Sequence, residues 1–395
     1  MRIYADNAAT TKMSKAAIEA MMPYITDIFG NPSSLYSEGQ RAKEAIENAR
    51  ETVGRCIGAS PKEIYFTSGG SEADNQALRS AAYEGKIKGK TKIITDTIEH
   101  HAVLHTLKKL EKEGFEVVYL PVGKNGIVNA DDVINELDDK TCLVTVMYAN
   151  NEIGTVQPIR KIGEACRRRN IVFHTDAVQA VGHIPVNVTA DNVDMLSASA
   201  HKFHGPKGVG FLYVRKGIRL HNLIEGGAQE RGKRAGTENV PGIVSAAVAL
   251  EEAVSNIDKN TEKLTHLRDR LIKGLSEIPH SALNGDLKER LPSNVNFCFE
   301  GIEGESLLLL LDDKGISASS GSACTSGSLD PSHVLLAIGR PHDVAHGSLR
   351  LTLGENANEE EVDYIVSAVK EVVSYLRGFS PVWRDLCAGK LKFLL

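Results

Sequence analysis

Lys202 falls in SASAHKFHGPKG, just after an apolar run and before a Gly-Pro turn, with Ser199, His201 and His204 beside it. An amine placed near a strand end and withdrawn from solvent is shifted toward its neutral, nucleophilic form, which suits covalent capture of a carbonyl. Lys207 and Lys216 lie close by, and spacing alone does not choose among the three. Asp176, in FHTDAVQA, follows another apolar run and belongs at the carboxyl end of a strand, where open α/β sheets bind ligands. A carboxylate there can hold a ring nitrogen protonated, or it can cap a helix. His100, in DTIEHHAV, is placed to stack on a ring and trade protons near neutral pH, or to begin a helix with its hydrogen bonds satisfied.

Arg350 alternates with Leu349, Leu351 and Leu353 in SLRLTLG, so it faces away from the leucine layer. From a rigid strand its guanidinium can clamp a carboxylate bidentately, or it can face solvent. Cys324 sits in a stretch, 317–328, in which six of twelve residues are serine and nothing apolar exceeds alanine. Such a segment buries little, so Cys324 reads as a mobile, reactive thiol. Asp330 is expected to cap the helix that follows, with Pro331 at its first position. The other five cysteines, Cys56, Cys142, Cys166, Cys298 and Cys387, have apolar or helical neighbours and read as packing groups. In FTSGGSEADN a strand ends at Ser68, and Gly69, Gly70 and Ser71 lead into a helix, an arrangement that can close backbone amides on a phosphate or make a tight turn.

These groups need a scaffold, and the patterning supplies one. From Glu63 to Arg215 seven β-rich runs (EIYFTS, KIITD, EVVYL, CLVTVMYA, IVFHTDA, VDMLSAS, VGFLYVR) alternate with amphipathic segments, which predicts an α/β domain around a mostly parallel sheet. Ala42, Ile46, Ala49, Val53 and Ile57 recur at helical spacing, so 38–57 is an amphipathic helix. After Pro241 come helices at 242–256 and 261–277, the strand SNVNFCFEG, a helix at 304–313, the strand SLRLTLG and a helix at 358–377, the outline of a smaller α+β domain. The expected division is 13–255 for the large domain, with 1–12 and 256–395 in the small one carrying the Cys324 loop. Patterning leaves the first dozen residues able to pack against either.

Composition narrows the function. At 395 residues and 42% hydrophobic content the chain can bury a large and a smaller core, and a net charge of -5 gives no reason to expect nucleic acid or an anionic membrane as partner. No apolar run reaches the roughly 20 residues that span a bilayer, and MRIYADNAATT lacks a signal-peptide pattern, so a cytoplasmic protein is expected. The cysteines show no CxxC pair or metal-ligand spacing, so neither a disulfide framework nor a metal site is expected.

Taken in order, YADNAATT, GNPSS, FTSGGSEADN, EHHAV, ANNEIGTVQPI, HTDAVQ, SASAHKFHGPKG, RAGTENV, SGSACTSGSLDPSHVL and HGSLRLTLG resemble the pyridoxal-phosphate (PLP) dependent cysteine desulfurases of the NifS and IscS type, class-V members of the fold-type I aminotransferases. The likeness covers nearly the whole chain. It implies a large domain with a mostly parallel seven-stranded sheet, a homodimer, and pyridoxal 5'-phosphate carried on Lys202. By the same resemblance Asp176 would pair with the ring nitrogen, Asn151 and Gln179 would reach the ring-hydroxyl side, and His100 would stack on the ring. Gly70, Ser71, Ser199 and His201 would hold the phosphate with Thr237 of the other subunit, while Arg350 and Asn151 would bind the substrate. L-cysteine would become L-alanine, its sulfur held as a persulfide on Cys324 and passed to an acceptor protein such as an iron–sulfur scaffold. Selenocysteine lyase, or another PLP-dependent C–S lyase, is the alternative on the same scaffold. The chain departs from the family pattern at Tyr36, where histidine is common, and at Gly69-Gly70-Ser71, where an Ala-Thr pair is usual. The final SPVWRDLCAGKLKFLL matches no tail pattern that would name a partner.

Overall fold

The computed structural model describes residues 2–320 and 331–395. Cys324, Asp330 and the rest of 321–330 therefore lie outside the described residues.

Among the described residues, seven strands form the large sheet in the order Ile64–Thr67, Gly210–Val214, Met195–Ser199, Val172–Asp176, Thr141–Thr145, Lys92–Asp96 and Glu116–Leu120. All pairings are parallel except those of Gly210–Val214, which runs antiparallel to both neighbours. The period-2 alternation of strand side chains explains the two cores. Ile93, Leu143, Met195 and Leu212 point to one face, where they pack with Ala77, Leu78 and Leu107 of the helices Gly70–Ile87 and His101–Lys112. Their strand neighbours Ile94, Val144, Leu196 and Phe211 point to the other, against Ile46 and Val53 of Ser37–Ile57 and Ile243 and Leu250 of Val240–Ser255.

A three-stranded antiparallel sheet, in the order Ser348–Thr352, Asn294–Phe299, Ser281–Leu283, packs under the helices Ile257–Ser276 and Glu359–Phe379. The N-terminal segment contacts both bodies. Ile3–Tyr4 pairs with Ile316–Ser317, and Ile3 and Ala5 join the small core, whereas the Thr11 and Ser14 amides donate to the carbonyls of His201 and His204. No single described helix is long and apolar enough to cross a membrane.

Three sequence expectations change. The helix after the cysteine segment starts at His333, not Pro331, and its cap is Ser332, whose Oγ accepts the Val334 and Leu335 amides at 3.1 and 3.3 Å. Cys387 is exposed at the end of the helix Pro381–Cys387, so it is no packing group; Cys142, Cys166 and Cys298 are buried as expected and Cys56 partly so. Arg350 does face away from the leucine layer, but the alternative of solvent exposure does not hold: it is only 3% exposed, because the N-terminal segment and the 317–320 segment cover that face.

Candidate active site

The parallel neighbours Val172–Asp176 and Met195–Ser199 end side by side, the edge at which open α/β sheets bind ligands. Asp176 ends the strand Val172–Asp176 and is buried, with Oδ1 accepting the Val178 amide at 2.9 Å. Lys202 follows Met195–Ser199 in a short 3-10 turn, Ala200–Lys202. Its Nζ donates to the carbonyls of Ala8 at 2.6 Å and Ala9 at 2.8 Å. Gln179 Nε2 donates to the same Ala8 carbonyl at 3.0 Å, so the N-terminal segment draws these two side chains to one point. Lys207 and Lys216 are exposed, whereas Lys202 is partly buried and turned toward the N-terminal segment.

His100 caps the helix His101–Lys112, its Nδ1 accepting the Ala102 amide at 3.1 Å. That bond leaves Nδ1 without a proton and puts the neutral ring's proton on Nε2. Burial lowers the His100 pKa against the pull of Asp176, with Lys202 adding to the lowering. One nitrogen of His100 and one oxygen each of Asp176 and Asp74 lie within 4.8 Å of one another. Burial raises the Asp176 pKa, opposed by His100, the Val178 amide and Lys202. Asp74, buried on the helix behind it with Oδ1 unpartnered, is raised well above the usual range by burial and by Asp176. Glu99 is raised well above its range and Asp96 to about 7, both chiefly by burial. Among these carboxyls, Asp176 is the one that His100 and Lys202 pull toward ionisation.

At the start of Gly70–Ile87 the first-turn amides have no intrahelical acceptor, the arrangement that can close on an anion. A Cβ on Gly70 would stand 2.5 Å from Val178 Cγ2, so glycine lets the helix start lie close against the turn that follows Asp176. Ser199 is buried beside it, while Ser71 is exposed. His201 Nδ1 shares a hydrogen bond with Thr10 Oγ1 at 3.1 Å, and its pKa falls to about 4 through burial and then Lys202 and Lys207. Thr237 is exposed and lines a depression with Thr67, Ser68 and Gly208, beside the start of Gly70–Ile87.

Arg350 and Asn151 meet directly: Arg350 Nη1 donates to the Asn151 carbonyl at 3.1 Å, and Nη2 to Asp6 Oδ1 at 2.8 Å. Arg350 Nε is buried with no acceptor among the described residues. Sequence reasoning missed Asp6, Asp74 and Glu152. Asp74 left a signal, since Ala77, Leu78 and Ala81 at i+3, i+4 and i+7 put an acid on an apolar helix face. Asp6 left none.

The fit to pyridoxal phosphate rests on this chemistry. A buried carboxylate, a strand-end amine, an amide cradle where a Cβ would clash and a partly unsatisfied guanidinium match its ring nitrogen, aldehyde, phosphate and a substrate carboxylate. The fold and these groups together define a fold-type I PLP enzyme. The aminotransferase class-V model matches residues 3–365. The chain is 55% identical over 392 residues to "Cysteine desulfurase IscS" of Clostridium botulinum, covering 98% of each. Among solved structures, "NIFS-LIKE PROTEIN" superposes with a TM-score of 0.89 at 41% identity, covering 95% of this chain and 100% of that one. "SspA in complex with cysteine" superposes with a TM-score of 0.79 at 37% identity, covering 89% of this chain and 98% of that one. The chain belongs to the class-V aminotransferase family, in its PLP-dependent cysteine desulfurase branch.

Proposed function

We propose that the chain converts L-cysteine to L-alanine and carries the released sulfur as a persulfide on Cys324. The observation that carries this reading is the meeting of Lys202, Asp176 and His100 at the strand ends, with Arg350 tied both to Asn151 and to Ser319 at the root of the cysteine segment. Held by Lys202, Asp176, Gly70, Ser71, Ser199 and His201, with Asn151 and Gln179 near its hydroxyl, pyridoxal phosphate would supply an electron sink that makes the cysteine Cα proton acidic and its C–S bond labile.

The chain's own groups do the rest. Arg350 binds the substrate carboxylate through a fork that a lysine could not present. Lys202, freed when substrate enters, takes the Cα proton on Nζ. Asp176 keeps its charge toward the ring nitrogen, and His100, neutral with its proton on Nε2, moves a proton at the substrate sulfur. The Cys324 thiolate attacks that sulfur: the new S–S bond forms as the C–S bond breaks, Cβ keeps the electron pair and takes one proton, and Lys202 Nζ returns its proton to Cα to complete alanine. The persulfide then passes to an acceptor protein, an iron–sulfur scaffold being the expected one.

The working unit we propose is a cytoplasmic homodimer in which Thr237 completes the partner's phosphate site. Ile18, Met22, Ile25, Phe29, Leu35 and Tyr36 leave an apolar surface of 43–93% exposure along 18–36, which a second copy would cover. The test is to incubate the holoenzyme with L-cysteine and measure alanine and sulfane sulfur together. Equal amounts support the reading, and pyruvate with free sulfide in place of alanine would replace it with a simple lyase.

A further inference from the structure

We infer that Glu152 is a positioning residue for sulfur transfer, holding the point where the chain re-enters the fold after Cys324 in register with Arg350; the inference rests on the desulfurase reading. Glu152 has only 5% exposure, and its backbone is pinned on both sides. Its amide donates to Asn150 Oδ1 at 2.9 Å, and its carbonyl accepts Asn296 Nδ2 at 3.1 Å. From this fixed base Glu152 Oε2 accepts the Ser332 hydroxyl.

A serine hydroxyl has one proton to give. Directed to Glu152, it turns the Ser332 lone pairs toward the Val334 and Leu335 amides and so sets the first turn of His333–Ala337. His333, one residue on, donates to the Glu99 carbonyl at 3.0 Å. At the other root, Ser319 and Arg350 exchange both backbone hydrogen bonds, at 2.6 and 3.2 Å. Asn151, adjacent to Glu152, accepts from Arg350 Nη1. One dipeptide, Asn151-Glu152, thus ties the proposed substrate clamp to the far root of the cysteine segment. Neither job requires an acid for capping alone, since Ser332 can accept the helix amides without one. Burial raises the Glu152 pKa to about 7, opposed by the Ser332 hydrogen bond and then by the Arg350 charge.

The test compares Glu152→Ala, Glu152→Gln, Ser332→Ala and the double variant Glu152→Ala/Ser332→Ala as holoenzymes. Alanine formation, PLP content and the rate of Cys324 alkylation by iodoacetamide are measured for each. Glu152→Ala should lower kcat about tenfold, the scale of one lost charge-assisted hydrogen bond, with KM for cysteine and PLP content unchanged. Cys324 alkylation should quicken, because the segment loses one root. Glu152→Gln, which can accept the same hydroxyl, should recover most of the rate, and the double variant should be no worse than Glu152→Ala. A loss confined to KM or PLP content, no recovery in Glu152→Gln, additive effects or an unchanged alkylation rate would each overturn the inference. If Glu152→Ala does not fold, Ser332→Ala reads the same bond from its other end. If wild type makes no alanine from cysteine, the desulfurase reading falls, while the alkylation comparison still decides the role of Glu152.

Discussion

Replacing Arg350 with lysine separates a substrate clamp from a structural pillar. The guanidinium spans Asp6 Oδ1 at 2.8 Å and the Asn151 carbonyl at 3.1 Å, and keeps a buried Nε without an acceptor. A lysine ammonium can meet Asp6 or Asn151 but has no planar fork for both and nothing at the Nε position. Loss of one buried charge-assisted bond costs about 1.5–3 kcal/mol of stability. If the fork also holds the substrate carboxylate, cysteine binding weakens by a similar amount, roughly 10- to 100-fold in KM. Arg350→Lys holoenzyme should therefore retain its PLP absorbance, lose a few degrees in Tm and show a KM raised by about that factor, read from alanine formation against cysteine concentration. A lowered Tm with KM unchanged would refute the clamp: Arg350 would then serve only to hold Asp6 and Asn151 together.

Borohydride reduction of the holoenzyme should fix the cofactor on Lys202; a pyridoxyl adduct on the exposed Lys207 or Lys216 would move the site. Gly70→Ala should cut PLP affinity about tenfold or more in an equilibrium titration, because its Cβ would press to 2.5 Å from Val178 Cγ2; unchanged affinity would place the phosphate elsewhere. His174, buried between Thr145 and Ser197, has its pKa pushed down to about 3 by burial. The unfolded chain then binds a proton below about pH 6.5 that the folded chain refuses, so this group's contribution is intact above that pH and is lost as pH falls toward 3. Between pH 6.5 and 4.5 the loss is about 2.5 kcal/mol, and in denaturant titrations His174→Gln should show a correspondingly smaller fall than wild type.

Strand and helix positions were legible wherever periodicity alone decides. KIITD and EVVYL coincide with Lys92–Asp96 and Glu116–Leu120, and the helix read at 304–313 is Gly304–Asp313. The helix Lys15–Thr26 was not read, because Ile18, Met22 and Ile25 stay exposed in this chain and Pro23 interrupts the pattern. Lys202, Asp176 and His100 were singled out because each lies at or just past the end of a recognisable strand. Asp6 reaches Arg350 across 344 residues of sequence and Glu152 reaches Ser332 across 180, and no local pattern records either contact. Arg350 shows both sides of this: alternation placed it off the leucine layer, but only the fold shows that a second layer covers it.

The central claim is that Cys324 receives the sulfur, and the most direct measurement is mass spectrometry of the Cys324 peptide after one turnover with L-cysteine, run beside alanine release by wild type and Cys324→Ser. A hydroxyl cannot replace a thiolate at neutral pH. Wild type should gain the mass of one sulfur atom on that peptide for each alanine formed, while Cys324→Ser binds PLP and cysteine yet releases no alanine. Full alanine production by Cys324→Ser, or added sulfur on another cysteine such as the exposed Cys387, would contradict the account.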